Sequence, residues 1–387
     1  VLQPSSEIQR AFKDSSNGLG YGVNISISGA IAIFAGEVDD SSMFWNKFAL
    51  SHVDPQTTVP LSRYDIDQRY DPTFVRVLGA VSVRQGAFLP PSRAECFDAE
   101  IMHMSSTEAY HLDPQHRLLL ESVLRCLQAP EIFSVIQRDR TGVFVGCMYN
   151  EMPQLQQIYD IDAGTHAGTG SGAAFMCGRV SYVNALSGPC IATDTACSSS
   201  LVAAHLARRA TGIGEAAAGV VAGVNLALSY VNTSVICAIG ALSSIGRCKT
   251  LDASADGYGR GEGCGTLFVG GYLLSQGLAI DGHNGSYDLA GTTIFASPAS
   301  AVNQDGRSSA LTAPHGPSQQ ALLADILKEA QYDETSYLIA GFEFIAMHGT
   351  GRGLGDHLAT GALANSPARF RSAHGRLAHV HTGRSLS

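Results

Sequence analysis

The most informative part of this sequence is the stretch Thr193-Asp194-Thr195-Ala196-Cys197-Ser198-Ser199-Ser200-Leu201. Residues 191–193 predict a short strand, and residues 201–208 carry the apolar spacing of a helix that Gly212 closes. Cys197 is therefore predicted at a strand-to-helix turn, where free amide groups and the positive end of the helix dipole favour the reactive thiolate. The alternative, for any one of the nine cysteines, is a buried thiol that acts as a small hydrophobic side chain.

Outward from this turn, short apolar runs that predict buried strands alternate with helical patterns. Asp113 is expected to cap a helix that begins at Pro114, and Pro130 is expected to end it. Further helices are predicted at residues 175–186 and 318–330, and further strands at residues 24–34, 141–146, 220–228 and 342–347. Strands that alternate with helices indicate an α/β fold whose sheets are covered on both faces.

Composition excludes several classes of protein. The 387 residues are 45% hydrophobic and 15% charged, which is typical of a well-buried globular chain. The net charge of −9, with no dominant Lys/Arg run, argues against nucleic-acid binding. The most apolar stretch, residues 216–231, is interrupted by Asn225 and is shorter than the ~20 residues of a membrane-spanning helix.

The nine cysteines are irregularly spaced and form no C-x-x-C pair. This spacing predicts neither a zinc site nor a disulfide framework, so we expect no metal ligands and a reducing compartment. No signal-peptide pattern opens the chain. The protein is therefore expected to be intracellular and soluble, in the cytoplasm or in a plastid.

Five segments, in order, resemble motifs of the β-ketoacyl synthase (ketosynthase) family of modular polyketide synthases and fatty-acid synthases. The stretch around Cys197 is similar to the family's active-site motif D-T-A-C-S-S-S-L. Residues 113–121, 248–263, 303–314 and 348–352 are similar to D-P-Q-Q-R-L-L-L-E, C-K-T-F-D…A-D-G-Y-x-R-G-E-G, N-Q-D-G…L-T-A-P and H-G-T-G-T. The resemblance covers residues 25 to 364, and five ordered motifs are a specific signal.

The resemblance implies a thiolase-like α/β fold, a layered αβαβα architecture of two similar halves. It divides the chain into a polar N-terminal extension (1–24), an N-terminal half with the nucleophile (25–240), an incomplete C-terminal half (241–364) and an atypical Arg/His-rich tail (365–387). Members of the family are homodimers. A homodimer with the strand before Cys197 near its interface is therefore expected.

The resemblance also implies the chemistry. Cys197 would carry the acyl chain, and His348 would polarise a malonyl thioester and stabilise its enolate. Supporting roles are implied for Asp256, Arg260, Glu262 and Thr350. Without the resemblance, these charged residues predict a hydrogen-bonded loop scaffold, and His348 a structural histidine. An acyl carrier protein or coenzyme A would deliver acyl and malonyl groups as thioesters on a phosphopantetheine arm, with no tightly bound cofactor.

Two motifs of the family's second half are not found among the 387 residues: K-x-N-x-G-H, with its second catalytic histidine, and a Gly-Phe-Gly-Gly loop that donates to the oxyanion hole. No lysine follows Lys328, and His374, His379 and His381 lie in no such motif. Three hypotheses remain. The chain is a synthase that condenses acyl and malonyl groups, a non-condensing member (a decarboxylase or acyl-binding dimer partner), or a cysteine hydrolase that uses Cys197 and His348.

Overall fold

The computed structural model of this chain describes residues 25–40, 43, 46–47, 51, 53–73, 79–134, 136–161, 164–270, 295–297, 299–330, 344–365 and 379–382. The predicted extension at residues 1–24 lies outside the described residues, as does most of the predicted tail at residues 365–387.

The described residues form strands and helices in alternation. The strands are β1 (Ile25–Phe34), β2 (Thr57–Thr58), β3 (Gln85–Gly86), β4 (Thr141–Gly146), β5 (Cys190–Thr193), β6 (Ala218–Asn225), β7 (Gly263–Gly270), β8 (Phe295–Ser297), β9 (Phe344–Met347) and β10 (His379–Thr382). The helices are α1 (Pro91–Glu95), α2 (Ser106–His111), α3 (Pro114–Leu127), α4 (Pro130–Phe133), α5 (Met152–Ile158), α6 (Ala167–Gly170), α7 (Ala173–Val183), α8 (Ser199–Gly212), α9 (Tyr230–Ala238), α10 (Gly316–Glu329) and α11 (Gly353–Ala364).

A six-stranded sheet with the order β5-β4-β6-β7-β1-β8 organises the first part of the chain. β4 pairs in parallel with β5 and with β6, whereas the pairs β6–β7, β7–β1 and β1–β8 are antiparallel. All six residues of β4 are buried, which explains why this strand reads as a continuous apolar run without alternation.

One long helix packs on each face of this sheet. α3 lies against β1, β6 and β7, and its predicted apolar stripe is buried at Leu119, Leu120, Val123 and Leu127. α8 lies against β4 and β6. Because side chains alternate along a strand, Val143 and Val145 join the core under α3 while Phe144 joins the alanine-lined core under α8. The sheet is therefore covered on both faces, as predicted.

The start of α3 confirms its prediction, but its end does not. The Asp113 carboxylate accepts a hydrogen bond from the Gln115 N–H at 2.7 Å, which caps the helix. The prediction that Pro130 ends this helix is wrong, because α3 ends at Leu127 and Pro130 is the first residue of α4. Ala129 has ψ of 128° because the ring of a following proline excludes the helical conformation.

The other predicted elements are present with shifted ends. α7 begins at Ala173 and α8 at Ser199, each two residues before the apolar pattern that predicted it. β6 ends at Asn225, three residues before the predicted end. β9 ends at Met347 as predicted, and its predicted start at residue 342 lies outside the described residues. The apolar pattern locates the buried face of an element, and this face does not have to start or stop where the backbone hydrogen bonds do.

The later part of the chain contributes two further strands, β9 and β10, which run parallel to each other. β9 pairs with β10 so that Met347 lies opposite Thr382. Helices α10 and α11 pack against each other. The Arg208 guanidinium of α8 donates to the Glu329 carboxylate at the end of α10 at 2.7 Å, and this ion pair joins the nucleophile helix to the later part of the chain.

Candidate active site

Cys197 lies in a tight turn between β5 and α8. Residues 196–198 form a single 3-10 turn, and α8 begins directly after it at Ser199. Ala196 has a φ of 56°, in the left-handed region that L-residues rarely adopt. The Ser199 hydroxyl holds this conformation, because it accepts from the Thr195 N–H at 2.9 Å and donates to the Ala196 carbonyl at 2.7 Å. The structure thus places an exposed Cys197 at the predicted strand-to-helix turn.

A row of small residues in the sheet lies beneath this turn. Gly146 of β4, Gly223 of β6, Gly265 of β7 and Ala32 of β1 stand opposite one another in register. A Cβ atom added to Gly146 would lie 2.4 Å from the backbone carbon of Ser199, whereas one added to Gly265 would meet nothing within 4 Å. The start of α8 therefore rests directly on β4, and open space lies over β7.

A cavity of about 770 Å³, here called the Cys197 cavity, fills this space beside the thiol. Such a volume lies in the range of small-molecule pockets, roughly 300–1,000 Å³. Its walls are mostly apolar and come from β1, β6, β7 and the segments around residues 148, 258 and 348. The cavity brings together four of the predicted site residues: Cys197, Arg260, His348 and Thr350.

His348 reaches the cavity from the end of β9. The residues after it form a turn in which Gly349 and Gly351 both have positive φ, 56° and 71°. A side chain at Gly351 would also collide with the Lys249 N–H nitrogen at 2.6 Å, so glycine is required there. Desolvation by the surrounding walls lowers the pKa of His348, although the Asp356 carboxylate opposes the shift. The imidazole is thus neutral at neutral pH.

The segment 248–262 supports this turn. The Gly257 N–H donates to the Gly351 carbonyl at 3.1 Å, and the Thr250 hydroxyl donates to the Gly349 carbonyl. The Asp356 carboxylate accepts from the Leu251 N–H at 3.1 Å. These bonds hold the backbone after His348 and the start of α11 against the segment 248–262.

Glu262 has a structural position under the site. Its carboxylate accepts from the Arg63 guanidinium at 2.8 and 2.9 Å and from the backbone N–H groups of Leu89 and Ala227 at 2.9 and 3.0 Å. Both side chains of this ion pair are buried, with 1% and 0% exposure. A fully bonded, buried carboxylate fits the scaffold interpretation of the Asp256–Glu262 segment better than a direct chemical role.

Asp256 lies on the outer side of the same segment. Its carboxylate accepts from the Lys249 ammonium at 2.7 Å and from the Ser244 hydroxyl at 2.9 Å. Partial burial pushes the pKa of Asp256 upward, but these hydrogen bonds outweigh it and lower the pKa to about 2. Asp256 does not line the Cys197 cavity. It holds the loop rather than the cavity wall.

Several residues of the site were not predicted. Tyr149 and Tyr258 both line the Cys197 cavity, together with Met148 and Ile236. Tyr258 lies within the predicted A-D-G-Y segment, but Tyr149 follows β4 in a stretch without a recognisable motif. Only the sheet order, which puts β4 beside β5, brings Tyr149 near Cys197.

Three further predictions concern metal ligands, membrane-spanning helices and the histidines of the tail. No group of three or more His, Cys, Asp or Glu side chains in the described part of the chain is arranged to hold a metal ion. Helices that combine the length and apolarity needed to cross a membrane are absent from the same part. His374 lies outside the described residues, while the backbone of His379 and His381 belongs to β10, beside the strand that leads to His348.

A thiol at a strand-to-helix turn, a neutral histidine and an apolar cavity are the parts from which cysteine enzymes build acyl-transfer sites. The family model "Beta-ketoacyl synthase, N-terminal domain" matches residues 23–272, and "Beta-ketoacyl synthase, C-terminal domain" matches residues 297–379. The chain therefore belongs to the β-ketoacyl synthase family.

The curated relatives belong to polyketide synthases. One component of the phenolphthiocerol/phthiocerol polyketide synthase of Mycobacterium tuberculosis is 37% identical over 344 residues, which are 88% of this chain and 15% of the relative. A second component of the same synthase is 34% identical over 341 residues, which are 88% of this chain and 21% of the relative. The chain thus spans about a fifth or less of the length of these relatives.

Solved structures of ketosynthases are also similar to this chain. The oxazolomycin ketosynthase domain OzmH KS7 of Streptomyces albus is similar with a TM-score of 0.74 and 30% identity, over 88% of this chain and 55% of that chain. The ketosynthase from module 6 of the bacillaene synthase of Bacillus subtilis has a TM-score of 0.73 and 28% identity, over 88% of this chain and 53% of that chain. The predicted thiolase-like α/β fold is confirmed.

Proposed function

We propose that this chain is the condensing ketosynthase of a polyketide synthase, with Cys197 as the acyl-carrying nucleophile. One observation carries the proposal: Cys197, at a strand-to-helix turn, and His348, at the end of β9, line the same acyl-sized cavity in a chain of this family. Family membership supports the reaction class, and the shared cavity supports the choice of these two residues.

The first half-reaction is acyl transfer. The Cys197 thiolate attacks the carbonyl carbon of an acyl thioester, a new C–S bond forms, and the pantetheine thiol leaves with the proton that Cys197 gave up. Cys197 lies directly before the first turn of α8, at the end of the helix where the dipole is positive. The covalent intermediate divides one difficult step into two easier ones.

The second half-reaction forms the new carbon–carbon bond. A malonyl thioester loses its carboxylate as CO₂, and the electron pair of the broken bond becomes an enolate. The enolate carbon attacks the Cys197 thioester carbonyl and expels the Cys197 thiolate, which leaves a β-ketoacyl thioester. His348 would donate a hydrogen bond to the enolate oxygen, a role that its lowered pKa supports because a neutral imidazole keeps one N–H donor. Such donors lower barriers by about 3–4 kcal/mol.

Other residues of the site are proposed to support the reaction because of where they lie. Thr350 lines the cavity beside His348, and Asp256 and Glu262 hold the loop that carries Arg260. No tightly bound cofactor takes part in the proposed reaction, because the reacting groups arrive as phosphopantetheine or coenzyme A thioesters. An acyl carrier protein is the proposed delivering partner.

We also propose a homodimer whose interface includes β5. This strand is the edge of the six-stranded sheet, and Ile191 is 38% exposed there. Tyr182 of the neighbouring helix α7 is 86% exposed. An unpaired edge with exposed apolar side chains is a surface that natural proteins normally cover. No disulfide joins the nine cysteines, all of which lie in the described part of the chain, and this supports the proposed intracellular location.

The test is a two-stage reaction followed by mass spectrometry. The full chain is first incubated with an acyl thioester, and a malonyl carrier protein is then added while released CO₂ and the β-ketoacyl product are measured. We expect an acyl adduct and then a ketoacyl product two carbons longer, both lost in Cys197→Ala. Cys96→Ala, which removes another exposed thiol, serves as the matched control and should behave as wild type.

Two results would refute the condensing function. An adduct on Cys197 without CO₂ or ketoacyl product would assign the chain to non-condensing members that bind acyl chains. Rapid release of free acid from Cys197 without malonyl carrier protein would assign it to cysteine hydrolases.

A further inference from the structure

The wall of the Cys197 cavity contains three polar side chains that the proposed reaction does not use. Tyr149, Tyr258 and Arg260 all line it together with Cys197. The Arg260 guanidinium carbon lies 6.0 Å from the centre of the Tyr149 ring. Both phenol groups lie within electrostatic range of Arg260 and of Cys197. These three residues, here called the polar wall, form one cluster beside the nucleophile.

The Arg260 side chain has no hydrogen-bond partner among the described residues. It is 7% exposed, yet its guanidinium donates to none of them, and Nη1 is fully buried without a partner. A guanidinium has five N–H donors, and buried donors are normally satisfied. The donors of Arg260 are therefore available to a ligand.

The nearby carboxylates do not take this role. The Glu151 carboxylate accepts from the Ser229 N–H at 2.7 Å and from the Asn232 amide at 3.0 Å. The Glu262 carboxylate is bonded to Arg63 and to two backbone N–H groups. Neither carboxylate accepts a hydrogen bond from the Arg260 guanidinium, which lies over the Tyr149 ring.

The two tyrosine hydroxyls are unused as well. Neither bonds to another described residue. Burial raises the pKa of Tyr258 to about 12 and also raises the pKa of Tyr149, although the charge of Arg260 opposes both shifts. Both phenols are therefore neutral at physiological pH, and each has one O–H donor and acceptor lone pairs.

A saturated acyl chain is a poor occupant for such a wall. It would exclude water from the polar groups and leave them unpaired, and an unpaired buried polar group is costly. An acyl chain with hydroxyl or carbonyl oxygens would satisfy them. Sites built to bond a substrate oxygen reject the analogue that lacks it far more strongly than an apolar pocket rejects an extra methylene.

We propose that the polar wall selects an oxygen-bearing acyl chain on Cys197, such as a 3-hydroxyacyl or 3-ketoacyl group, over a saturated fatty acyl chain. This inference rests on the proposed function and adds the substrate class of the first half-reaction. Tyr149 and Tyr258 donate to the chain oxygens, and Arg260 supplies further donors behind them.

The test compares two thioesters that differ in one oxygen. The full chain is loaded separately with 3-hydroxyhexanoyl and hexanoyl N-acetylcysteamine thioesters, and the rate of the mass increase at Cys197 is followed. We expect the hydroxyacyl group to load about two- to tenfold faster, the range that one net hydrogen bond provides. Tyr258→Phe and Tyr149→Phe should each reduce this ratio by up to about tenfold. Tyr230→Phe, a partly buried tyrosine that does not line the cavity, should keep the wild-type ratio.

The outcomes separate the inference from the function on which it rests. Equal loading of both thioesters on wild-type Cys197 overturns the inference and leaves the nucleophile in place. Loading of neither thioester overturns both. The two phenylalanine variants test the inference separately, so one of them suffices if the other does not fold. A variant whose midpoint of urea unfolding is near that of wild type is folded.

The carboxylate of the malonyl group is the other source of oxygen that this wall could hold. The loading reaction contains no malonyl thioester, so any change in the loading ratio reports on the acyl chain alone. Phenylalanine variants that keep the loading ratio but raise the KM for malonyl carrier protein would overturn the inference in favour of the malonyl carboxylate.

Discussion

The contact between Gly146 and the start of α8 makes the sharpest prediction about how the fold positions the nucleophile. A Cβ atom added at Gly146 would lie 2.4 Å from the Ser199 carbonyl carbon and the Ser200 nitrogen, and 2.6 Å from the Ser199 oxygen. These are backbone atoms, so no side chain can rotate out of the way. Carbon atoms make contact at about 3.5 Å, so strand and helix must separate by about 1 Å in Gly146→Ala.

Cys197 lies two residues before this contact, so the separation displaces the thiol as well as the helix. Overpacking of this kind costs about 1–3 kcal/mol of stability. A displacement of about 1 Å at a reacting group reduces rates by about 100-fold. We therefore expect Gly146→Ala to lower the unfolding free energy by about 1–3 kcal/mol and to slow acylation of Cys197 by up to about 100-fold.

Gly265→Ala is the matched control for stability alone, because Gly265 lines the Cys197 cavity and its added methyl group enters that cavity. It lies in the same row of the sheet, one strand beyond Gly223, and its added Cβ meets no atom within 4 Å. Urea unfolding and the rate of acyl-adduct formation are measured for both variants. Gly265→Ala should stay within about 0.5 kcal/mol of wild type in stability. If Gly146→Ala matches wild type in both measurements, close packing on β4 does not position the nucleophile.

The remaining predictions concern pH and assembly. Burial, with a smaller contribution from Arg179, lowers the pKa of His116 to about 3. Because the unfolded state takes up this proton near pH 6.5, the contribution of His116 to stability should fall by about 2 kcal/mol from pH 6.5 to pH 5, while the raised pKa of the buried Asp113, about 6, acts in the opposite direction. The stability of wild type relative to His116→Gln in urea unfolding should therefore fall over this pH range. Desolvation lowers the pKa of His348, so the rate of CO₂ release from malonyl carrier protein should persist below pH 6.5 and fall only under more acidic conditions. A pH–rate profile for CO₂ release whose midpoint lies above pH 6.5 would contradict the role of a neutral donor. Ile191→Asp should convert a dimer to a monomer in analytical ultracentrifugation, whereas Ile239→Asp, at an equally apolar site with 64% exposure directly after α9, should not. A monomeric wild type would contradict the proposed interface.

Much of the fold was predictable because its signals are local. The Asp113-Pro114 pair contains the cap and the first residue of α3, and the apolar runs at β4 and β6 mark strands buried on both faces. Pro130 was misread because the same residue type is compatible with both the end of one helix and the first turn of the next.

The nucleophile was predictable for the same reason, and the rest of the site was not. Cys197, the strand before it and the helix after it are contiguous, so one stretch of sequence describes the turn. The packing of α8 on Gly146, and the position of the polar wall in the cavity, depend on which strands become neighbours in the sheet. Sheet order depends on long-range pairing, which periodicity within a segment does not specify.

The most direct test of the central claim is the distribution of acyl adducts among the three thiols that are exposed in the single chain, Cys96, Cys190 and Cys197; Cys190 lies in β5 at the proposed dimer interface, so Cys96 is the decisive comparison. The full chain is treated with a limiting acyl thioester, digested, and its cysteine peptides are quantified by mass spectrometry. If the turn before α8 activates its thiol, the adduct accumulates on the Cys197 peptide and is rare on the other two. Equal labelling of all three thiols, or labelling that spares Cys197, would contradict the assignment of the nucleophile.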